Sequence, residues 1–348
     1  MSKKCVAIVN TSINIILITQ LRRKLFPSVE FDLILGGKRT KEAYNSGELD
    51  KYFNNVYYYD QDDYGVTLSK YLSPRNTLKE MLGEEPKEYT DVFFWNPDWL
   101  FYNYYRFLRK NNPKLHLYGD GIGLYMIKPI NFPMYQGKVG KLFNAIDKNL
   151  FNWYDIDALD FDIYAFRPEL ICYEDSHKKY AVPQLSSDDV KEFSKMFAYK
   201  DSPESAKYIF LDCPRYFGWV DDSDVAEIIS CIRDNTGEGE FLVRRHPSIK
   251  PEYYDELNVR LMNQSIMWEL FYMNEDIEDK TIIGTGSGAL IQAYVMTGKL
   301  CRTILLSELI PTKLDLLSEP MTKLFDTIAE ESGKILTPKT KEELIELL

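Results

Sequence analysis

Three short segments of the sequence combine chemically competent side chains with turn-forming glycine or proline. The first runs from Leu115 to Gly123 and places Asp120 between Gly119 and Gly121. A carboxylate that flanking glycines bring close to a ligand can accept a proton from a hydroxyl nucleophile. The same residues also fit an ordinary Asp-Gly turn, so this segment alone leaves both interpretations open.

The second segment runs from Phe241 to Pro247 and ends in Arg244, Arg245 and His246 before the proline. Proline pushes the preceding residue towards extended geometry, so we expect His246 to project from a loop. A histidine beside arginines can bind a phosphate or give it a proton, although a single histidine is more often structural. Either arginine could add positive charge against an anionic ligand, or could pair with an acid of the protein.

The third segment, Thr281 to Leu290, passes from an apolar run through a Gly/Ser/Thr turn into a predicted helix. Backbone N–H groups at such a helix start, helped by hydroxyl groups, form a phosphate site. Its GxGxG spacing is not the GxGxxG dinucleotide fingerprint, and no lysine follows the glycines as in a P-loop. The residues that would hold the phosphate are Thr285, Gly286, Ser287 and Gly288.

Charge and composition narrow the classes of ligand. The chain has 348 residues with 42 Lys+Arg against 53 Asp+Glu, a formal net charge of −11, so nucleic acid is not expected as a partner. Asp-x-Asp patterns at 60–62, 155–157 and 160–162 suit metal-dependent sugar transfer, but chance explains them in so acidic a chain. The five scattered cysteines lack CxxC spacing, and we expect neither a metal nor disulfides.

The elements that position these segments follow from apolar runs that alternate with amphipathic stretches, the pattern of βα units around a parallel sheet. Each of the three segments then follows a strand, where open α/β sheets bind their ligands. In the first half the predicted strands are Cys5 to Val9, Phe31 to Leu35, Asn55 to Tyr58, Asp91 to Trp95 and Leu115 to Tyr118, and the predicted helices are Ser12 to Phe26 and Trp99 to Lys110.

The second half repeats this alternation, which predicts an α/β fold with two doubly wound domains. A polar stretch from Tyr173 to Lys207 is interpreted as a linker with a connecting helix, and the domains are placed at 1–180 and 190–348. The predicted strands are Tyr208 to Asp212, Glu240 to Arg244, Thr281 to Ile283 and Arg302 to Leu306, and the predicted helices are Ser223 to Asp234, Ser265 to Met273, Gly288 to Thr297 and Lys341 to Leu348.

Membrane and export signals are weak in this sequence. No segment has the run of about 18 apolar residues that a spanning helix needs, and the start lacks a signal peptide's apolar core and cleavage site. We therefore expect a cytoplasmic protein. The basic end of the first predicted helix, Arg22 to Lys24, could touch an anionic membrane surface. We expect membrane contact to be at most peripheral. The chain could also form a homo-oligomer.

Taken together, the three segments resemble the Asp-Gly, His-Pro and Ser/Thr-rich motifs of bacterial sialyltransferases. Their order and spacing most resemble glycosyltransferase family 52, whose members decorate lipooligosaccharide and capsular polysaccharide. The resemblance spans most of the chain, from the Val-Asn-Thr-Ser run after the first strand, through Phe210 to Pro214, to Gly284 to Leu290.

This resemblance implies a GT-B fold, in which two Rossmann-like domains face each other across a central cleft. It implies an inverting transfer of sialic acid from CMP-sialic acid to a terminal sugar, usually galactose, of an oligosaccharide acceptor, with no metal or other cofactor required. Residues 1–180 would then form the acceptor side, and residues 190–348 would bind the CMP-sugar.

The resemblance also implies roles for single residues. Asp120 would be the general base for the acceptor hydroxyl, with Gly119 and Gly121 on the acceptor side. His246 would stabilise or protonate the departing CMP phosphate. The donor would be bound by Arg244, Arg245, Pro247, Thr285, Gly286, Ser287 and Gly288.

Three other functions remain open. A glycerophosphotransferase that uses CDP-glycerol also resembles this chain, because it has a His-Pro pair after a strand and a Ser-rich phosphate turn. A GT-B transferase that uses UDP- or GDP-sugars fits the same segments. A catalytically inactive protein that binds polysaccharide would belong to a different class.

Overall fold

The structure, a computed structural model, describes residues 3–37, 40–59, 70, 72–96, 98–119, 121–126, 159–200, 206–214, 220–275, 277–310 and 315–348. The candidate general base Asp120 and two of the Asp-x-Asp patterns, at 60–62 and 155–157, lie outside these residues. Everything stated of the fold refers to the described ranges.

The first half of the chain forms a parallel sheet of seven strands. Their order across the sheet is β3-β2-β1-β4-β5-β6-β7, so the chain starts in the middle and winds outwards in both directions. The strands are β1 (Lys4–Val9), β2 (Glu30–Gly36), β3 (Val56–Tyr59), β4 (Asp91–Phe94), β5 (Lys114–Tyr118), β6 (Phe161–Ala165) and β7 (Lys179–Ala181).

The second half forms a parallel sheet of five strands in the order β12-β11-β10-β8-β9. Two doubly wound parallel sheets confirm the predicted α/β fold class, whereas the domain limits at 180 and 190 stay a prediction. The strands are β8 (Tyr208–Leu211), β9 (Phe241–Arg244), β10 (Thr281–Gly284), β11 (Arg302–Leu305) and β12 (Ile335–Leu336).

Helices connect the strands and cover both sheets. Those of the first half are α1 (Ser12–Leu25), α2 (Lys41–Asn45), α3 (Pro74–Leu82), α4 (Trp99–Leu108) and α5 (Ile122–Met126), followed by α6 (Ser187–Met196) between the sheets. Those of the second half are α7 (Asp222–Asp234), α8 (Glu252–Asp255), α9 (Trp268–Asn274), α10 (Gln292–Thr297), α11 (Asp315–Ser332) and α12 (Lys341–Glu346).

Burial on both faces explains why the central strands could be predicted from the sequence. Parallel sheets are covered on both faces, so their central strands are continuous apolar runs. In β1 the five residues from Cys5 to Val9 are fully buried, and β4 and β10 are buried throughout. Helix α1 is buried from Asn14 to Leu21, because it packs within the core cluster that includes residues of both halves.

The connecting helix α6 is held against the basic end of α1. Ser186 and Asp189 form a capping box at its N-terminus, and Arg23 pairs with Asp189 at 2.8 Å and with Glu192 at 3.0 Å. The Nζ atom of Lys24 lies 3.7 Å from Oδ1 of Asp189. Two residues of the basic cluster that suggested membrane contact therefore form ion pairs within the protein. Peripheral membrane contact stays a prediction.

The strand orders place a crevice in each sheet. In open α/β sheets ligands bind beyond the carboxyl ends of the strands, where the strand order reverses. That point lies between β1 and β4 in the first sheet and between β8 and β10 in the second. A ligand site is therefore expected at the loops after these four strands.

Candidate functional site

A cleft of about 800 Å³ is lined by loops from both halves of the chain. The first half contributes the start of α1 and one residue of α2, and the second contributes the loops after β9 and before α9. The segment after α6 completes the wall. The lining residues are Thr11, Ser12, Ile13 and Glu42, Phe197 to Lys200, Arg244, Arg245 and Pro247, and Asn263 to Leu270.

The start of α1 forms the first-half wall of the cleft. Thr11 is the N-cap, and its hydroxyl accepts a hydrogen bond from the backbone N–H of Asn14 at 3.3 Å. Thr11, Ser12 and Ile13 all line the cleft, so the N-terminus of a 14-residue helix is directed at it. Helix N-termini attract anions because their backbone N–H groups are unpaired and the helix dipole is positive there.

Arg244 and Arg245 have different surroundings on the second-half wall. The guanidinium of Arg244 donates to the carbonyl oxygen of Ile266 at 2.8 Å and lies 5.9 Å from the Trp268 ring. Burial lowers the pKa of Arg244, although nearby Glu269 opposes that shift. Arg245 donates to the Ile249 carbonyl at 2.6 Å and also faces the cleft.

His246 lies between the lining residues Arg245 and Pro247 without lining the cleft itself. Its Nδ1 accepts the backbone N–H of Ser248 at 3.2 Å and is 2.7 Å from the Ser248 hydroxyl. A neutral ring that accepts at Nδ1 carries its proton on Nε2, so Nε2 is a donor. The predicted catalytic role of His246 stays a prediction.

The predicted phosphate turn after β10 lies behind Trp268. Trp268 is 3% exposed, and its indole N–H donates to the carbonyl of Ala289 at 2.9 Å. Ser287 caps the short 3-10 turn Gly288–Leu290, with its Oγ 3.4 Å from the Ala289 nitrogen. The hydroxyl of Thr285 is buried and has no hydrogen-bond partner among the described residues, although buried polar groups are normally satisfied.

The turn requires glycine at position 286 for two reasons, its backbone conformation and the close approach of Met321. Its φ of +106° is in the region that favours glycine, and an added Cβ would lie 2.5 Å from Met321 Sδ on α11. The turn borders the second-sheet crevice, because it follows β10, whose last residue Gly284 pairs with Leu211 at the end of β8. The binding roles of Thr285, Gly286, Ser287 and Gly288 stay predictions.

The first predicted segment follows β5 and is only partly described. Gly119 donates its backbone N–H to Tyr164 at 3.2 Å, and an added Cβ would clash with Leu124 at 2.8 Å. At Gly121 an added Cβ would meet nothing within 4 Å. Helix α5 packs against α11, which also contacts Gly286. The first and third segments therefore approach α11, whereas the second lines the cleft.

A carboxyl group that no sequence motif indicated lies at the crevice of the first sheet. Asp98 caps α4, accepting the backbone N–H of Phe101 at 2.8 Å, and the amide of Asn10 donates to its other oxygen. Burial raises the pKa of Asp98 to about 6, against the hydrogen bonds from Phe101 and Asn10. Asn10 directly precedes the cleft residue Thr11, and Asp98 directly precedes a predicted helix, so N-cap position was the available signal.

The other two histidines belong to structural clusters. His116 is buried between Asp91, at 2.8 Å, and Asp162, at 3.6 Å, near the amino ends of the central strands. His177 pairs with Asp175 and stacks on Phe161. Across the described ranges no group of three or more His, Cys, Asp or Glu residues is arranged to hold a metal ion. The same ranges contain no helix with the length and apolarity to span a membrane.

Comparisons in sequence find no match, either to models of protein families or to curated proteins. Comparison of structures does. The UDP-GlcNAc 2-epimerase of Methanocaldococcus jannaschii has a TM-score of 0.56 at 13% identity, over 99% of this chain and 91% of that one. The Neisseria meningitidis UDP-GlcNAc 2-epimerase bound to UDP-GlcNAc has a TM-score of 0.53 at 12% identity, over 99% and 90%.

A third similar structure is Staphylococcus aureus MnaA with UDP, which has a TM-score of 0.52 at 12% identity over 99% of this chain and 87% of that one. Similarity along the whole chain at so low an identity is a similarity of fold. It confirms the predicted GT-B architecture of two Rossmann-like halves on either side of a cleft.

The predicted membership of glycosyltransferase family 52 is wrong, and so is the predicted CMP-sialic acid-dependent sialyltransferase. The structures that this chain resembles along its length include UDP-GlcNAc 2-epimerases. The physical reason is that short Asp-Gly, His-Pro and Ser/Thr segments follow strands at the ligand edge of any fold of this kind. Such segments locate a binding edge, and they do not distinguish one family from another.

Proposed function

We propose that this protein is an enzyme that binds a UDP-sugar in the cleft and acts on its sugar. The observation that supports this most directly is the cleft itself, with an α-helix N-terminus on one wall and arginines on the other. Its volume of about 800 Å³ lies in the range of small-molecule sites. The solved structures of similar fold include one with UDP and one with UDP-GlcNAc.

The charges of the cleft favour the diphosphate of such a ligand. The N-terminus of α1, at Thr11 to Ile13, attracts anions through its backbone N–H groups. Lys200, Arg244 and Arg245 line the same cleft against Glu42 and Glu269, which leaves a net positive charge of one among its side chains. The diphosphate would therefore lie between the start of α1 and the loop after β9.

We assign proton transfer to Asp98. A group works best as a general acid or base when its pKa is close to the working pH, and the pKa of Asp98 is raised to about 6. It stands at the reversal point of the first sheet, next to Asn10 and the α1 wall of the cleft. Asp98 would thus act on the sugar, while the start of α1 and the loop after β9 hold the diphosphate.

A panel of nucleotides tests the proposal. UDP and UDP-GlcNAc are expected to raise the melting temperature more than GDP, CMP or CDP-glycerol do at equal concentration. Epimerisation of UDP-GlcNAc, followed by proton NMR, is the first reaction to assay, because it is the activity of the similar structures. Stabilisation by CDP-glycerol alone would point to the glycerophosphotransferase, and the absence of nucleotide binding would contradict the proposal.

A further inference from the structure

We propose that Arg244 is a positioning residue that shapes the nucleobase side of the cleft, and that it does not bind the phosphates. This inference rests on the proposed function. The sequence alone left Arg244 and Arg245 equivalent as phosphate ligands, since they are adjacent at the end of a strand. Their hydrogen bonds distinguish them.

The guanidinium of Arg244 is used within the protein. One nitrogen donates to the Ile266 carbonyl at 2.8 Å, and another lies 3.5 Å from the Asn263 carbonyl and 3.8 Å from Met262 Sδ. These acceptors lie on one loop, 262–266. A planar fork that joins two carbonyl groups fixes the shape of a loop in a way that a lysine ammonium cannot reproduce.

The loop is also fixed at its two ends. At the start, Met262 donates its backbone N–H to Val243 of β9 at 2.9 Å, and Val243 donates to Arg260 at 2.9 Å. At the end, Trp268 packs under the Arg244 guanidinium and donates to the Ala289 carbonyl at 2.9 Å. Arg244 joins these two ends, so the loop is held along its length.

Residues Asn263 to Met267 of this loop line the cleft. In the described part of the chain, several backbone groups of this loop make no hydrogen bond. The N–H groups of Gln264 and Met267 have no acceptor, and the carbonyl groups of Gln264 and Ser265 have no donor. A planar base with neighbouring donors and acceptors is a partner of matching chemistry for such an edge. Its recognition then depends on loop shape, and so on Arg244.

Arg245 provides the contrast. Within the described ranges the Ile249 carbonyl is the one acceptor of its guanidinium, and Arg245 lines the cleft, so N–H groups remain that a ligand can accept. Arg245 is therefore the arginine that can contact a diphosphate, and it offers a matched control with the same chemistry at the next position.

The test uses three probes on the full chain: UDP, uridine and inorganic pyrophosphate, titrated by calorimetry. Arg244→Lys is expected to weaken UDP and uridine by the same factor, about tenfold, which corresponds to the loss of one well-formed contact, and to leave pyrophosphate unchanged. Arg245→Lys is expected to weaken UDP and pyrophosphate and to leave uridine unchanged.

An equal loss for UDP and pyrophosphate in Arg244→Lys would overturn the inference, and so would unchanged binding of all three probes. If Arg244→Lys does not fold, Trp268→Phe keeps a ring beneath Arg244, removes the bond to Ala289, and is expected to give the same base-selective loss. If the wild-type chain binds none of the probes, the proposed function itself fails, and the inference fails with it.

Discussion

The side-chain amide of Asn10 donates a hydrogen bond to the carboxylate of Asp98, and this bond joins the loops after β1 and β4. These strands are neighbours in the sheet although 88 residues separate the two side chains. The bond spans the point where the strand order reverses, and it ties a half-buried carboxyl group to the residue that precedes the cleft-lining Thr11. A raised pKa at this position is what links the fold to the proposed chemistry.

The first prediction concerns stability and pH. Because the folded pKa of Asp98 is about 6 and its ordinary value is 3.8, the folded state holds a proton between these values that the unfolded state has lost. Stability therefore falls as pH rises through this window. By linkage, the ionised carboxylate costs at most about 3 kcal/mol above pH 6.

Asp98→Asn removes that cost and retains an N-cap acceptor for Phe101. The variant is expected to be more stable than the wild type in urea at pH 8, with the difference vanishing near pH 4. A difference of equal size at both pH values would show that ionisation of Asp98 is not its source.

The second prediction concerns turnover. Asp98→Asn is expected to lower turnover of the UDP-sugar by a factor of about 100 or more, as removal of a general acid or base does. Its affinity for UDP should stay close to that of the wild type, since the carboxylate is proposed to act on the sugar and the Asn side chain still caps α4. Measured kcat near the wild-type value would remove Asp98 from the mechanism.

The third prediction compares two helix caps. Thr11 and Thr340 each accept a backbone N–H from the residue three positions on, at 3.3 Å and 3.2 Å. Replacing either by Val is expected to cost about 1 kcal/mol of stability. The Thr11→Val variant alone should lose UDP affinity, because α1 starts in the cleft and α12 does not. Equal affinities in the two variants would exclude α1 from the binding site.

The fourth prediction concerns the turn after β10. Gly286→Ala is expected to destabilise the protein more than Gly83→Ala, although both glycines have positive φ, at +106° and +74°. Both variants acquire backbone strain of the order of 1 kcal/mol. In Gly286→Ala the new methyl also meets Met321, whereas the space at Gly83 is open within 4 Å.

Denaturant unfolding of both variants measures the difference. The double variant Gly286→Ala with Met321→Ala should recover part of the loss, because it removes the clash. A double variant that loses the sum of the two single effects would show that Met321 does not restrict the turn.

The central strands were predictable because burial on both faces leaves an uninterrupted apolar run, as in β1 and β10. The strands that were missed lack such a run. The edge strand Lys179–Ala181 is exposed throughout, Ile335–Leu336 has two residues, and Phe161–Ala165 carries the acidic Asp162, which pairs with Lys114 at 2.8 Å.

The lining of the cleft was predictable only in part, because its wall is assembled from distant parts of the chain. Arg244, Arg245 and Pro247 were identified from residue type and position after a strand, and they line the cleft. Trp268 and the segment 197–200 carry no local motif, and only the packing of α6 and α9 brings them there. The motifs after the strands did not identify a family, because many proteins of this fold have similar short segments at the same edge of the sheet.

The central claim is that a UDP-sugar binds between the two halves. Hydrogen exchange of the backbone, followed by mass spectrometry with and without UDP, tests it most directly. We predict slower exchange with UDP both at the start of α1, around Ser12 and Ile13, and in the loop from Asn263 to Trp268. Protection confined to one half, or found elsewhere on the chain, would contradict the account.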